Sequence, residues 1–577
     1  MLLRETLKFS RVGARDRSWP SGKARCRFGS GSTRLLAQRR QGPKPAEVFD
    51  LGRIFPECGI ALLDRRMTAA LRSASCLGKN AASNAGTRIN QCFLKLMTLV
   101  ALSGLLAGCA VGPDYEAPQQ ELPTDWQQPL LSQAEQEEWQ DWWTRYEDDS
   151  LNTLVSRAVD DNLDIRLQVE RVQESRARLG LADANRLPTL DAQAEVMRTR
   201  PSAAELGIDD DAFGLGDPRN LFSITGVLGY EVDLWGRLGR QQESAEAFLQ
   251  QSYFSHEAVR LAVIADVVIA YVNLRSAQEQ LSITERTLAS RERALELEEI
   301  RHEGGEADAL AVRQARAQLE TTRSRIPGLQ EQMRLQESVL GSLIGLSPAD
   351  LMADLDVGEG GLADLRLPES IPADLPSEIL RRRPDIRAAE AELMAATADI
   401  GVAQADRLPR VNLMSFLGTS ATTTGDLFSD SSETWGLGAS VAGPILDFGR
   451  GQARVATAES VRDQAETRYR NTVNQAFREV RDGLILYEAS EERVQAIESQ
   501  VAAVDEARAL ARLQYDEGLV GLLDVLDAER TLLEAELGLN QAIRDRLAAT
   551  ATLFKALGGG WQLDPGNDLL GKKDGAE

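Results

Sequence analysis

The longest unbroken pattern in the chain is helical. From Gly236 to His302 the sequence runs 67 residues without a proline. Within it Val263, Val267, Ala270, Leu274, Ala277, Leu281, Thr284, Leu288, Arg291 and Leu295 are spaced alternately four and three apart. That is the seam of a heptad helix, apolar except at Thr284 and Arg291. A second such stretch spans Gly449 to Glu517, where Val473, Val480, Tyr487, Val494 and Val501 recur every seventh residue. At 1.5 Å per residue each helix is about 100 Å long, more than a compact globular domain holds. Each is followed by a glycine turn (Gly304-Gly305, and Gly518 to Gly521) and a shorter helix, about 307–345 and 521–557. Each is preceded by two β-prone segments, about 189–200 and 221–233 in the first half and about 411–419 and 434–447 in the second. A further helix, about 161–187, is stopped by Pro188. The helices 161–187 and 307–345 together match the long helix in length. Stacked end to end beside it, they put the strands at one end and the glycine turns at the other.

The pattern is written twice. Asp164-Ile165-Arg166, Gly180-Leu181-Ala182 and Arg186-Leu187-Pro188 return as Asp385-Ile386-Arg387, Gly401-Val402-Ala403 and Arg407-Leu408-Pro409, always 221 residues on. Asp233-Leu234-Trp235-Gly236-Arg237 matches Asp447-Phe448-Gly449-Arg450, and Glu303-Gly304 matches Glu517-Gly518, both at 214. The sequence therefore carries an internal two-fold repeat. The first copy is 109–345, with long helix 236–302 and tip 303–306. The second is 346–577, with long helix 449–517 and tip 518–521.

Charge divides the 577 residues differently. Residues 1–96 carry 19 Lys+Arg against 6 Asp+Glu, whereas Cys109 to the end carries 46 against 82, so the net charge of −23 hides an acidic body of −36. Four of the five cysteines lie in the basic part. The acidic part keeps Cys109, His256 and His302, which excludes a disulfide framework and speaks against a His-based metal site or a Ser-His-Asp triad. An acidic surface also binds nucleic acid poorly. No catalytic residue, metal site or cofactor is expected, and the composition leans away from enzymes.

The split falls at a processing segment. Residues 95–108 hold an apolar run, Leu96 to Gly108, behind Lys95 and Arg88. The run is too short and too rich in Gly and Ser for a membrane helix, and it has the basic flank and apolar centre of a secretory signal. It ends in Leu106-Ala107-Gly108-Cys109, which resembles a bacterial lipobox, with Cys109 as the residue that receives lipid. Ala110 follows rather than Asp, so the resemblance implies sorting to the outer membrane. Residues 1–94 are then an upstream extension that is not made, or else a long cleaved leader.

Several motifs, in order, resemble one family. They are Cys109-Ala110-Val111-Gly112-Pro113-Asp114-Tyr115, Arg383-Pro384-Asp385-Ile386-Arg387, Gly443-Pro444-Ile445-Leu446-Asp447-Phe448-Gly449-Arg450 and Asp524-Val525-Leu526-Asp527-Ala528. Over about 105–560 the chain is similar to the TolC-like outer-membrane efflux proteins, in the lipoprotein branch resembling OprM and NodT. The resemblance implies a mainly α protein with a membrane β-barrel portion. Three copies would share one 12-stranded barrel, four strands from each, continued by a long periplasmic α-helical barrel. The physical pattern agrees, because four strands cannot close a barrel alone and open edges are not tolerated in lipid. Phe222, Tyr230, Trp235, Phe416, Trp435 and Phe448 are candidates for interfacial aromatics or for packing within the barrel. The polar loops 201–220 and 420–433 would face outside the cell, and Asp209-Asp210-Asp211 is read as a solvated loop.

The resemblance also assigns sites. Asp524 and Asp527, three apart on one helix face, match the family's constricting aspartates. Leu523 matches an apolar constriction residue and Arg530 a neighbouring link. Together they would form the periplasmic gate, a narrow carboxylate ring that concentrates cations and whose crowding raises its own pKa values. The first-half positions Leu310, Arg313 and Arg316 lack carboxylates, so only one hairpin is built as the gate. The tips, with His302, Glu303, Gly304, Gly305, Tyr515, Glu517, Gly518 and Leu519, would dock a periplasmic adaptor (membrane fusion) protein. The implied function is the passive exit duct of a tripartite efflux system. It would pair with an inner-membrane RND transporter, with the duct lipid-anchored in the bacterial outer membrane and exporting small toxic compounds. The alternatives are a duct for type I protein secretion on the same fold, and a structural periplasmic coiled-coil lipoprotein, which would have no strand pairs. Gly358-Glu359-Gly360-Gly361 reads as a loop rather than a phosphate cradle.

Overall fold

The computed structural model describes residues 110–121, 141–200, 218–353, 357–358, 360–366, 376–559 and 561. All of them belong to one compact unit, Phe93–Glu577. Cys109, residues 1–94 and Asp209 to Asp211 lie outside the described residues. After a 3₁₀ turn, Trp142–Tyr146, the elements run α1 (Asp149–Asp161), α2 (Leu163–Ala184), β1 (Thr189–Thr199), β2 (Arg219–Val232) and α3 (Arg237–Glu303). Then come α4 (Ala309–Arg323), α5 (Ile326–Leu343), α6 (Pro376–Arg382) and α7 (Pro384–Ala405). The chain closes with β3 (Arg410–Ala421), β4 (Glu433–Ala442), α8 (Arg450–Asp516) and α9 (Leu522–Leu557).

The two long helices, α3 and α8, are 67 residues each. Both are launched from a strand by the same device. Gly236 and Gly449 sit at φ 73° and 85°, a left-handed conformation that glycine adopts without a Cβ clash. The preceding aspartates cap the first turn. Asp233 accepts from the Gly239 N–H at 2.8 Å, and Asp447 accepts from Gly449 and Gly451 at 3.0 and 2.7 Å. Those two N–H groups hold the Asp447 carboxyl below its ordinary range. The repeated Asp-to-Gly motif of the sequence is thus a strand-to-helix cap.

Three elements depart from the sequence expectation. The helix expected over 307–345 is broken between Arg323 and Ile326. Pro327 lacks the N–H that would bond the carbonyl four residues back, so α4 ends and α5 restarts with the proline in its first turn. The strand expected to run to 447 stops at Ala442, ahead of Gly443-Pro444, because proline cannot extend a ladder. The helix expected from 161 begins at Leu163, where the Asn162 side chain accepts from the Asp164 and Ile165 N–H groups. A separate helix, α1, precedes it.

The four strands form one antiparallel sheet in the order β1-β2-β3-β4, with β1 and β4 at its edges. Residues paired across a ladder share a face, so the register sorts the side chains. Leu190, Ala194 and Val196 lie opposite Leu228, Ile224 and Phe222. Leu413 and Leu417 lie opposite Tyr230 and Gly226, and Val441, Leu437 and Trp435 continue the same face through β4. That face is apolar, and Leu190, Val196, Leu417, Trp435, Leu437 and Val441 on it are exposed. The other face carries Asp191, Gln193, Glu195, Ser223, Thr225, Asn412, Ser440 and Thr434. Phe416 falls on this polar face, whereas Phe222, Tyr230 and Trp435 fall on the apolar one.

The main core sits midway along the long helices, far from the sheet and the tips. Trp142 stacks on Phe554 with ring centroids 5.2 Å apart and meets Tyr146 edge-on. Around them Leu151, Val155, Ile264, Val268, Tyr271, Val473, Val480 and Leu547 are buried. Each large side chain buried here is worth about 1.5–3 kcal/mol. Arg275 is fully inside this belt and donates to the carbonyls of Val357, Gly358 and Gly360 at 3.0–3.1 Å, and to the Tyr271 hydroxyl at 2.9 Å. The glycine cluster therefore presents carbonyls to a guanidinium, the opposite polarity from a phosphate cradle.

At the sheet end, residues 110–115 lie as a strap across α3 and α7. Ala110 packs against Gly236, and the Val111 N–H donates to the Trp235 carbonyl at 3.1 Å. Gly112 is so close to Gly401 that a Cβ on it would fall 2.4 Å from the Gly401 Cα. Arg240 donates to Asp114 at 2.6 Å, and the Tyr115 hydroxyl donates to Glu390 at 3.1 Å.

Candidate functional site

The end opposite the sheet carries two helix tips. The first turns at Gly304-Gly305 and the second at Gly518, with Gly305 and Gly518 at φ 80° and 74°. Each turn returns its chain as a helix. Asp308 caps α4 by accepting from the Ala311 N–H at 2.8 Å. Asp524 caps α9 by accepting from the Gly521 N–H at 3.0 Å. Asp524 thus has a structural task within its own subunit, and a carboxylate at a helix N-terminus is favoured there.

Asp527 lies one turn on. It accepts from Arg530 at 2.6 Å, and Arg530 also donates to Glu534 at 3.2 Å. The two carboxylates hold the Arg530 guanidinium above its ordinary range. Leu523 is 60% exposed, whereas its neighbours Leu522 and Leu526 are buried against Leu295, Ala315 and Leu319. Leu523, Asp524, Asp527 and Arg530 are all brought to the first turns of one helix, with Leu523 projecting outward. Leu310, the first-half counterpart of Leu523, is also exposed, and Arg316 pairs with Glu299 at 2.6 Å instead of with an acid on its own helix.

The tip residues divide. Glu303, Gly304, Gly305, Glu517, Gly518 and Leu519 are exposed, Leu519 at 75%. The His302 Nδ1 lies 2.8 Å from the Ala307 carbonyl and closes the first turn. Tyr515 is different. Its hydroxyl donates to Glu298 at 2.6 Å and accepts from Arg301 at 3.0 Å, and the Arg301 guanidinium lies 5.2 Å from its ring centre. Burial first, and then the bond to Glu298, push the Tyr515 hydroxyl above its ordinary range. This contact ties the end of α8 to the end of α3, so Tyr515 joins the two hairpins from between them.

Glu298 and Arg301 are not among the residues the sequence singled out. A signal was present. The seam runs on with the same spacing through Arg291, Leu295 and Glu298, so every seventh residue from Thr284 is polar: Thr284, Arg291, Glu298. All three are buried. A charge at a seam position needs a partner, and here Glu298 finds Tyr515 while Arg291 reaches the Thr322 hydroxyl and the Gln318 carbonyl. Burial holds the Arg291 guanidinium below its ordinary range.

Comparison with known proteins places these features. The family model for outer membrane efflux protein matches residues 154–346 and 375–559. The cation efflux system protein CusC of Escherichia coli O6:H1 is 32% identical, over 79% of this chain and 97% of that protein. The outer membrane protein OprJ of Pseudomonas aeruginosa is 32% identical, over 83% of this chain and 97% of that protein. Among solved structures, the Campylobacter jejuni CmeC outer membrane channel superposes with a TM-score of 0.72 at 25% identity, covering 79% of this chain and 96% of that one.

Proposed function

The chain belongs to the outer membrane efflux protein family, and on that premise we propose that it is the passive exit duct of a tripartite, RND-type efflux system, gated at its periplasmic tips. The observation that carries this is the sheet. It has one apolar face, one polar face and two unpaired edges, and it stands at the end of two 67-residue helices. In water the exposed apolar face is a liability, and in lipid each open edge group costs several kcal/mol. Three copies pairing β4 to β1 satisfy both demands with a 12-stranded barrel, apolar outside and polar within. The six-carboxylate ring of the gate follows from the same three-fold axis.

The strap supports a lipid on Cys109. Ala110 is fastened beneath β2 by Gly236 and Trp235, so a lipid on the preceding residue would enter the membrane beside the apolar face. The exposed tips fit a periplasmic adaptor, which would join the duct to an inner-membrane transporter. That transporter would choose the cargo of small toxic compounds. Relatives named for cation efflux and as general outer membrane proteins fit a duct that does not select closely.

The gate is tested in planar bilayers with the purified full-length protein. Replacing Asp524 and Asp527 together by alanine is expected to raise single-channel conductance and to weaken block by multivalent cations. Unchanged conductance and block would remove the carboxylate ring from the constriction. Deletion of the gene, scored against a panel of toxic compounds, tests the efflux role.

A further inference from the structure

Packing along the gate hairpin α8/α9 is uneven. Near the core the hairpin is fixed. The Tyr146 hydroxyl donates to the Leu547 carbonyl at 2.9 Å, and Leu547, Leu553 and Phe554 are fully buried. The last fixed level is a polar one. Asn540, buried on α9, accepts from Ser276 at 2.6 Å and from Gln280 at 3.1 Å, both buried on α3. Such a bond set admits one alignment of α9 on α3, because any slide leaves buried polar groups unpaired.

Toward the tip the support stops. Among the described residues, no side chain of α8 beyond Val494 is buried. Between α3, α8 and α9 lies a cavity of about 180 Å³ lined by Ile283, Arg286, Arg508, Glu529, Leu533 and Glu536. Its four charged groups give it a polar lining suited to water rather than a close-packed one. At its upper rim sits Gly538, where an added Cβ would meet nothing within 4 Å. A glycine inside a helix with no packing reason is a point of easy bending. Beyond the cavity only the small cluster of Leu522 and Leu526 on Leu295 and Leu319, and the Tyr515–Glu298 contact, hold the end shut.

We infer that the gate hairpin bends about a fixed pivot at Gly538–Asn540, so that opening moves only the tip-side third of α8 and α9 and leaves the part nearer the core in place. The inference rests on the gated duct proposed above. It gives the under-packed stretch a purpose: the cavity supplies room for the bend, and Asn540 stops the bend from propagating to the core.

The test uses the full-length trimer with Tyr515→Phe to release the end contact, and spin labels on Leu510→Cys or Leu486→Cys. Both leucines are exposed on α8, one on either side of the pivot. Inter-subunit distances are expected to lengthen at position 510 and to stay unchanged at 486, with conductance raised. Adding Gly538→Ala is expected to cut the conductance gain up to about fivefold, from the roughly 1 kcal/mol by which alanine outranks glycine in a helix. If Tyr515→Phe neither conducts more nor moves either label, the gated-duct reading falls. If it conducts more while both positions move, or while Gly538→Ala makes no difference, the gate stands and the pivot is overturned.

Discussion

At the level of single residues, the tip is closed by a neutral phenol between two charges. Tyr515 donates to buried Glu298 and accepts from Arg301. Removing its hydroxyl leaves a carboxylate 2% exposed without its donor, and such a group costs about 1–3 kcal/mol or more. Tyr515→Phe and Glu298→Gln are therefore each expected to raise channel open probability by tenfold or so, read as single-channel recordings, with trimer yield unchanged. The pH dependence has a fixed sign. The folded pKa of Tyr515 is raised, so its contribution is whole below the ordinary tyrosine value of about 10 and is lost only as pH rises through the folded value. Open probability should stay flat to about pH 10 and climb above it. A climb beginning near neutrality would assign the closing contact to another group. The sequence made the carboxylates of this region visible through motif and spacing. It left Glu298 and Arg301 unseen because a seam reads as apolar positions, and a polar one looks like an interruption until its partner, 217 residues away, is placed beside it.

At the level of elements, the long helices and the strands were legible because each rule behind them is local: heptad spacing, a proline stop, a glycine turn. What escaped was set by tertiary contacts. The loop around Gly358 has no periodicity, and its shape is fixed by one guanidinium from the middle of α3. Arg275 gives three bonds to its carbonyls while Tyr271, whose hydroxyl donates to Asp148, supports it from below. Burial pushes Tyr271 up to about 12, so the support holds across the physiological range. Arg275→Met keeps the stem and removes the donors. Three carbonyls then lose a charged partner, each bond worth about 1.5–3 kcal/mol net. The variant is expected to lose several kcal/mol in urea unfolding and to be clipped near Gly358 by a protease that spares the parent. Lysine at the same position restores the charge but not the fork, and should recover less than half of the loss.

At the level of the whole molecule, the single chain is incomplete at its sheet and finished at its core. The belt around Trp142 and Phe554 is buried within one subunit, so each chain is expected to be stably folded there before it assembles. The sheet is expected to gain its last ladders only when three chains meet in lipid. This asymmetry makes the two faces separable by experiment. Leu228 and Thr225 are three residues apart on β2 and point to opposite faces, Leu228 opposite Leu190 and Thr225 opposite Gln193. Arginine at Leu228 would face lipid and is expected to cost roughly 2–4 kcal/mol per subunit, seen as loss of heat-resistant trimer on gels and poor recovery in the outer membrane. Arginine at Thr225 would face water. It is expected to leave the trimer intact and to shift ion selectivity of the open channel away from cations, because each subunit adds a positive charge beside Asp191 and Glu195 on the same face. If both variants lose the trimer equally, the faces are not sorted between lipid and lumen, and the sheet is not one third of a membrane barrel.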